Sequence, residues 1–500
     1  MQYFAGKEII AGKGYHGWTS HFWPPLFSIF IGFASLVLPG FLAGKIISIV
    51  SAAALLYVAY HLAVHLFGEK KISLWTQVFL ATNPVFVYET LQAHNHILDS
   101  LFFCSGILFF VLGLRQPSAG RFLLAGLAGG LAGLTRYQSY VIVLLPLALF
   151  FVVGLKRAIA FSLLFWAGFV VILSPWWYFN AKANGSPFFT WNYLNVCVGA
   201  LRPNEYGLSL HALWRYYGMP EIHGLGDIFF RYPKGYIRNF LGNIPLSFEA
   251  ASRGSLVLFV IPAMLDMLIR LKPRFSLTLL GLFAVSLAVV SQAYVASWYL
   301  LSWNILLTVL AAGFVLRYLD KLNSLYSALS KYRFRDLCLF VLVLVNLFLA
   351  ALEIRSYVRE KELYYPLWRA EEVAKAIKDH DQDVKEKVVM AIDPGRAYYV
   401  GARYLSTPGE YSGSIEGLVQ YEGISERMRR YAPKYPAKMP LSELKADYLI
   451  YTNPKGIALW RLHELQQFAF LLDPKSKEIP SNFKLIYQSS DVVVYEIDWK

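Results

Sequence analysis

The sequence predicts a multi-pass α-helical membrane protein that ends in a small C-terminal α/β domain on the extracytoplasmic face. Three observations lead there. Apolar residues fill 56% of the 500 positions, and the mean hydropathy of +0.43 is high for a water-soluble chain. Apolar runs recur from residue 24 to residue 354, several of them about 18 residues or longer, the length that crosses hydrocarbon. Beyond residue 356 charges become dense and no spanning run occurs, leaving a tail of about 140 residues, enough for its own core.

In chain order, the domains are an extracytoplasmic juxtamembrane segment (1–41), a transmembrane bundle (42–356) and a soluble extracytoplasmic domain (357–500). Ten spans are expected, at 42–66, 72–88, 99–115, 121–135, 138–154, 157–178, 254–271, 276–296, 299–318 and 336–356. Basic residues set their direction. Lys70 and Lys71, Arg115 and Arg121, Lys156 and Arg157, then Arg270, Lys272 and Arg274, then Arg317, Lys321, Lys331, Arg333 and Arg335 fall in alternate loops. The positive-inside rule makes these cytoplasmic. Segment 89–98, the turn at Arg136, the long loop 179–253, the turn at Ser297 and the tail are then outside. Both ends of this bundle are outside, so the topology predicts a further helix ahead of Met1.

Segment 24–38 opens with Pro24-Pro25. At ~1.5 Å per residue it reaches about 22 Å, short of the ~30 Å hydrocarbon core, so it is expected to lie in the outer leaflet. Segment 121–135 is short too, and Gly126, Gly129, Gly130 and Gly133 let it pack closely on its neighbours. The formal charge of +14 lies largely in short loops, as membrane orientation requires, and no nucleic-acid partner is expected. Cys104 and Cys338 lie in apolar runs and Cys197 stands alone in a loop, so no disulfide framework is implied. Residues 1–23 have no continuous apolar core and do not read as a cleaved signal sequence.

The candidate functional residues gather on the outer side. Asp99 ends the run His94-Asn95-His96-Ile97-Leu98-Asp99 at the head of a span. A carboxylate there is costly unless it caps the helix or has a task. Glu89, His94 and His96 share its connection. His94 and His96 with Asp99 are candidate metal ligands, although an i, i+2 pair is a weak signal, and the metal requirement stays open. Arg136-Tyr137 ends the glycine-rich segment. A lone outer arginine either snorkels or binds a lipid phosphate bidentately, and a short segment holds it below the surface, where an unpaired cation is expensive. The stretch from Tyr3 to Tyr15, followed by His16, Trp18, His21, Phe22 and Trp23, is either an interfacial aromatic belt or the wall of an external substrate pocket, to which Lys7 and His21 would contribute.

In the long loop, 207–217 and 225–241 are amphipathic, and Gly185-Ser186-Pro187 signals a turn. Asp266, near the cytoplasmic end of its span, suits a local ion pair with Arg270 or a snorkelled carboxylate. In the tail, 368–379 reads as helix and 388–392, 447–451 and 491–497 as strands, the first ending at Asp393-Pro394-Gly395. The tail carries no phosphate loop or catalytic triad.

Together, YFAGKEIIAGKGY with HFWPPLFSIFIG, then ATNPVFVYETLQAHNHILDS, GLAGGLAGLTRYQSYVIVLLP and PWWYFNAKANGSPFF, resemble the polyprenyl-phosphate-sugar-dependent membrane glycosyltransferases. This GT-C group holds the protein O-mannosyltransferases and the aminoarabinose transferases. The resemblance runs in order from Met1 to about residue 195; beyond that only the layout is similar. It implies a GT-C-like fold and transfer of a sugar from a polyprenyl phosphate to an extracytoplasmic protein, lipid or glycan, with inversion. A carboxylate would act as general base and basic groups would stabilise the departing lipid phosphate. No nucleotide cofactor is implied. Asp99 matches the family's second external acidic site and takes a supporting catalytic role, positioning substrate or a divalent metal. Arg136 matches a basic position facing the donor phosphate; Tyr137, His94, His96, Glu89, Lys7 and His21 would line the substrate site. The family's first acidic residue falls ahead of the part matching Tyr3-Phe4, and Glu8 does not replace it.

Two other classes compete. A transporter or flippase for lipid-linked glycans would need buried charges or internal repeats, and neither is evident. The other is a truncated, non-catalytic membrane scaffold. The setting expected for the enzyme is the plasma membrane.

Overall fold

The computed structural model describes residues 2–12, 14–15, 23–190, 192–201, 224–254, 256–270, 273–293, 295–325, 334–364, 369–391, 400, 402–406, 445–452 and 468–499. Two compact units emerge, residues 1–200 with 234–355, and residues 201–233 with 356–500.

The first unit is helical. α1 (Gln2–Ile10) packs on α2 (Leu26–Ala34). A Cβ on Gly32 would lie 2.5 Å from the Gly6 carbonyl oxygen, so only a residue without one allows this approach. With nine residues, α2 is too short to span, as expected. α3 (Gly40–Phe67) runs the depth of the bundle and stops at Gly68, whose φ of 79° suits a left-handed cap.

The expected span 72–88 is instead two helices, α4 (Lys70–Ala81) and α5 (Pro84–Thr90). The break has a local cause. Asn83 Oδ1 accepts the backbone N–H groups of Val85 (3.0 Å) and Phe86 (3.2 Å), and Pro84 takes the first turn, where its missing N–H costs nothing.

α6 (His96–Arg115) and α7 (Ala119–Thr135) follow. The chain is extended at Arg136 and then winds as a 12-residue 3₁₀ helix, Tyr137–Ala148, continued by one α turn, Leu149–Val152. An α-helix was the expectation for 138–154; Pro146 lacks a donor that an α ladder needs. α8 (Leu155–Asn184) ends at Gly185. It lies tight on α7, where a Cβ on Gly126 would come within 1.9 Å of the Phe165 carbonyl oxygen. The glycine-rich face acts as the sequence suggested.

The first unit continues through α9 (Tyr193–Leu201), and α10 (Leu225–Arg231) belongs to the second. α11 (Pro233–Ser252), α12 (Val257–Arg270), α13 (Pro273–Ser291), α14 (Leu301–Leu325, entered through a 3₁₀ turn at Ser297–Leu300) and α15 (Phe334–Tyr364) complete the bundle. The expected amphipathic piece 225–241 is thus split at Tyr232, and 207–217 lies outside the described residues. Asp266 meets Arg317 of α14 at 4.0 Å, an inter-helix partner.

Among the described residues five helices are long and apolar enough to cross a membrane: Leu42–Phe67, His96–Arg115, Leu155–Asn184, Ser297–Ser324 and Phe334–Ser356. Ala119–Thr135, Tyr137–Val152 and Ser276–Ser291 are shorter apolar segments. The apolar stretch of α14 is 83% buried and that of α15 only 17%, so α14 is the central post and α15 a lipid-facing one. The chain is a multi-pass membrane protein.

The second unit holds a five-stranded sheet of β1 (Val388–Ala391), β2 (Arg403–Ser406), β3 (Tyr448–Thr452), β4 (Phe483–Gln488) and β5 (Val492–Ile497), in the order β2-β1-β3-β5-β4. β1 is parallel to β2 and β3; β5 is antiparallel to β3 and β4. α16 (Ala370–His380) sets Val373, Ala374 and Ile377 against Val389, Tyr448, Ile450 and Val494. Met390, Leu449, Tyr451 and Val493 pack on the other face with Phe468 and Leu471. Strands covered on both faces read as continuous apolar runs, which is why β1, β3 and β5 were visible in the sequence. The predicted turn at Asp393-Pro394-Gly395 lies outside the described residues.

Candidate active site

The site forms where the end of α5, the start of α6, the break at Arg136 and the turn at Ser297 converge. Asn95, just before α6, is the tie. Its Nδ2 donates to the Thr135 carbonyl (3.1 Å) and its Oδ1 accepts from Arg136 Nη1 (3.2 Å). The head of α6 is thereby fixed to the end of α7. Ser48 of α3 adds a hydrogen bond to the His94 carbonyl (3.2 Å).

Arg136 is only 5% exposed. Its Nε donates to Gln138 Oε1 (3.4 Å) and its guanidinium lies 5.2 Å from the centre of the Tyr299 ring. A buried guanidinium needs such partners. Asp99, in the first turn of α6, accepts from Ser139 Oγ at 2.5 Å and is 7% exposed. Asp99 lies one turn in, and the Asn95 side chain is committed to Thr135 and Arg136 rather than to capping α6.

Glu89 ends α5 at 1% exposure, and its Oε2 meets His96 Nδ1 at 2.5 Å. Burial pushes the Glu89 carboxyl up to about 7, against the opposing pull of His94 and Arg136. Glu89 Oε1 and Gln92 Nε2 are buried without a hydrogen-bond partner. The His96 ring lies parallel to Trp298, with centres 5.9 Å apart. Donor atoms of Glu89, His94 and His96 all lie within 4.8 Å of one another. Two imidazoles and a carboxylate suit a zinc-class ion, and the orphaned Glu89 Oε1 fits that use. The third candidate ligand is therefore Glu89, where the sequence had suggested Asp99. The reversal between α5 and α6 folds Glu89 onto His96, while Asp99 turns to Ser139.

The site thus brings together Glu89, His94, His96, Asp99 and Arg136. Tyr137 turns elsewhere, into an aromatic cluster with Tyr15, Trp176, Trp177 and Phe179. Lys7 is exposed on α1, and His21 lies outside the described residues. Sequence reasoning missed Asn95, Ser139, Trp298 and Tyr299. The last two had a signal, since they sit in the turn at Ser297 already placed on the same side.

Residues 23–179 match the family model of dolichyl-phosphate-mannose-protein mannosyltransferases. Among curated proteins none matches the chain in sequence. Solved structures do match in fold. ArnT from Cupriavidus metallidurans bound to undecaprenyl phosphate superposes with a TM-score of 0.55 at 14% identity, covering 99% of this chain and 92% of that one. The Archaeoglobus fulgidus oligosaccharyltransferase AglB, in complex with an inhibitory peptide and a dolichol-phosphate, gives 0.53 at 15% identity, covering 90% of this chain and 64% of that one. The same archaeal enzyme with Zn and sulfate gives 0.55 at 16% identity, with 90% and 63% covered. This chain therefore spans under two thirds of the archaeal protein in these two matches. The fold is that of the GT-C membrane glycosyltransferases, as the resemblance implied.

Proposed function

We propose that this protein transfers a sugar from a polyprenyl-phosphate donor to an acceptor hydroxyl or amine at the outer face of the plasma membrane. The single observation that carries the reading is Arg136. It is a buried guanidinium oriented by Asn95, Gln138 and Tyr299, at the end of a bundle that has the fold of enzymes solved with dolichol-phosphate and undecaprenyl phosphate.

The acceptor attacks the anomeric carbon as the bond from that carbon to the phosphate oxygen breaks, inverting the configuration. The electron pair leaves with the polyprenyl phosphate, and Arg136 stabilises the charge that develops there. The attacking group's proton passes to a carboxylate. Asp99, steadied by Ser139 on one oxygen, orients the reacting groups with the other. His96 and Trp298 present a ring wall for a sugar face. Glu89, His94 and His96 would hold a divalent ion, which would supply a further positive charge to the site when bound.

Reconstituted protein is to be incubated with labelled polyprenyl-phosphate sugars and hydroxyl or amine acceptors. Transfer that falls about 100-fold in Asp99→Asn, the scale of lost positioning, supports the enzyme. Donor that crosses between leaflets without transfer refutes it in favour of a flippase.

A further inference from the structure

The turn that carries Trp298 and Tyr299 is gripped from a helix outside the site. α13 ends at Ser291, so the carbonyls of Ser291, Gln292 and Ala293 lie beyond its last intrahelical bond. One face of α11 supplies donors to all three. Asn239 Nδ2 donates to the Gln292 (2.9 Å) and Ala293 (3.1 Å) carbonyls. Asn243 Nδ2 donates to the Ser291 carbonyl (3.1 Å) and again to that of Ala293. Ser247 Oγ meets Ser291 Oγ at 2.9 Å. Their spacing of four places these side chains in one row along α11.

Capping a helix end needs one donor per carbonyl. Here two asparagines converge on the Ala293 oxygen and engage both of its lone pairs. That fixes the direction in which the chain leaves α13 for the 3₁₀ turn Ser297–Leu300. In this turn Trp298 lies parallel to His96, and the Tyr299 ring faces Arg136. Another helix leans on the same point. A Cβ on Gly199 of α9 would lie 2.5 Å from Asn239 Nδ2, and one on Gly235 of α11 would lie 2.3 Å from the Ala200 carbonyl oxygen. α9 and α11 both belong to the long connection between α8 and α12, and they close on each other where Asn239 makes its two bonds.

We propose that Asn239 and Asn243 are positioning residues of the active site. They act through the 297–300 turn to hold Tyr299 on Arg136 and Trp298 on His96. α9, packed on Asn239, ties that placement to the long connection. The effect on donor use rests on the reading of Arg136 given above; the effect on the turn does not.

The test follows full-length protein, labelled with fluorotryptophan, by fluorine NMR in detergent. The Trp298 resonance is assigned by its loss in Trp298→Phe. Asn239→Leu keeps the shape of the side chain and removes the donor. Gly199→Ala leaves every hydrogen-bonding group in place and displaces Asn239. Asn346→Leu is the control; it removes a buried amide that bonds the Phe79 carbonyl and Thr82 Oγ1 (3.3 Å each) elsewhere in the bundle. Asn239→Leu and Gly199→Ala should each move the Trp298 resonance and lower donor kcat/KM by about 10- to 100-fold, the scale of a ~1 Å misplacement, with acceptor KM near wild type. Asn346→Leu should leave the resonance and the donor term near wild type. If Asn239→Leu does not fold, Gly199→Ala decides, since the atom its Cβ meets is the end of a side chain that can yield. If the wild type transfers no sugar, the donor reading fails, and a resonance moved in these two variants but not in the control still supports the clasp. A Trp298 resonance that stays in place in both folded variants, one that moves as far in Asn346→Leu, or one that moves in an active enzyme with unchanged donor kcat/KM overturns the proposal.

Discussion

Replacing Arg136 by alanine is the sharpest perturbation of the proposed active site. The guanidinium is 5% exposed and is held by Asn95 and Gln138, with Tyr299 beneath it. It is thus pre-organised, and a phosphate reaching it meets a cation already stripped of most water. Truncating one member of a buried, hydrogen-bonded charge pair costs roughly 2–5 kcal/mol. With tenfold per 1.4 kcal/mol, donor affinity should fall about 30-fold at least and by some thousands at most. Arg136→Lys keeps the charge and loses the fork, so it should fall between the two. The assay measures polyprenyl-phosphate binding to purified protein, then donor and acceptor KM separately, with thermal melting as a check on folding. The donor terms should weaken while acceptor KM moves little. Wild-type donor affinity in a well-folded Arg136→Ala protein would remove this residue from the site.

Three further outcomes follow from the geometry. Purified protein should retain one zinc-class ion per chain by elemental analysis and lose it in His96→Ala and Glu89→Gln, while a metal-free wild type after equilibration with micromolar zinc would refute the ligand set. Gly126→Ala forces a Cβ against the Phe165 carbonyl and should cost about 1–3 kcal/mol, whereas Gly154→Ala, which meets nothing within 4 Å, should melt near wild type; equal melting of both would contradict the tight α7–α8 contact. In the second unit Asp381 accepts from the Asp383 backbone N–H (2.9 Å) and Tyr448 Oη (3.0 Å), with Lys387 Nζ at 3.4 Å. These partners hold its carboxyl below the usual range, the backbone bond most of all. The stability it adds is therefore present above the unfolded value of about 3.9 and lost as pH falls through the lower folded one. Hydrogen exchange of the β1–β3 sheet should show wild type and Asp381→Asn converging below about pH 4, and a gap that stays constant into stronger acid would count against the assignment.

Much of the site was legible in the residues because its parts violate the membrane's preferences. Asp99 and Arg136 stand out as charges in apolar surroundings, and the glycines from 126 to 133 announce close packing. The neutral groups that position them do not. Asn95, Ser139 and Tyr299 are ordinary in composition and acquire their roles only when three separate segments meet. The metal set shows the same limit. Asp99 was the candidate third ligand from its place in the run, and Glu89 is brought onto His96 by the chain reversal between α5 and α6. In the tail, strands covered on both sides were visible as apolar runs. Edge strands β2 and β4 were not, since edge positions carry weaker patterns, as the mixed burial of β4 illustrates.

The winding of Tyr137–Ala148 has a geometric corollary. Twelve residues at ~2.0 Å each reach about 24 Å, where an ordinary coil would reach about 18 Å. The segment thus traverses more depth with fewer peptides. Its threefold screw also changes the arithmetic of insertions. Three added residues would return every side chain to its original azimuth, about 6 Å further along, whereas in an α-helix they would stop about 60° short of a full turn. Length beyond Ser139 can therefore vary in steps of three with the residues after the insertion keeping their faces.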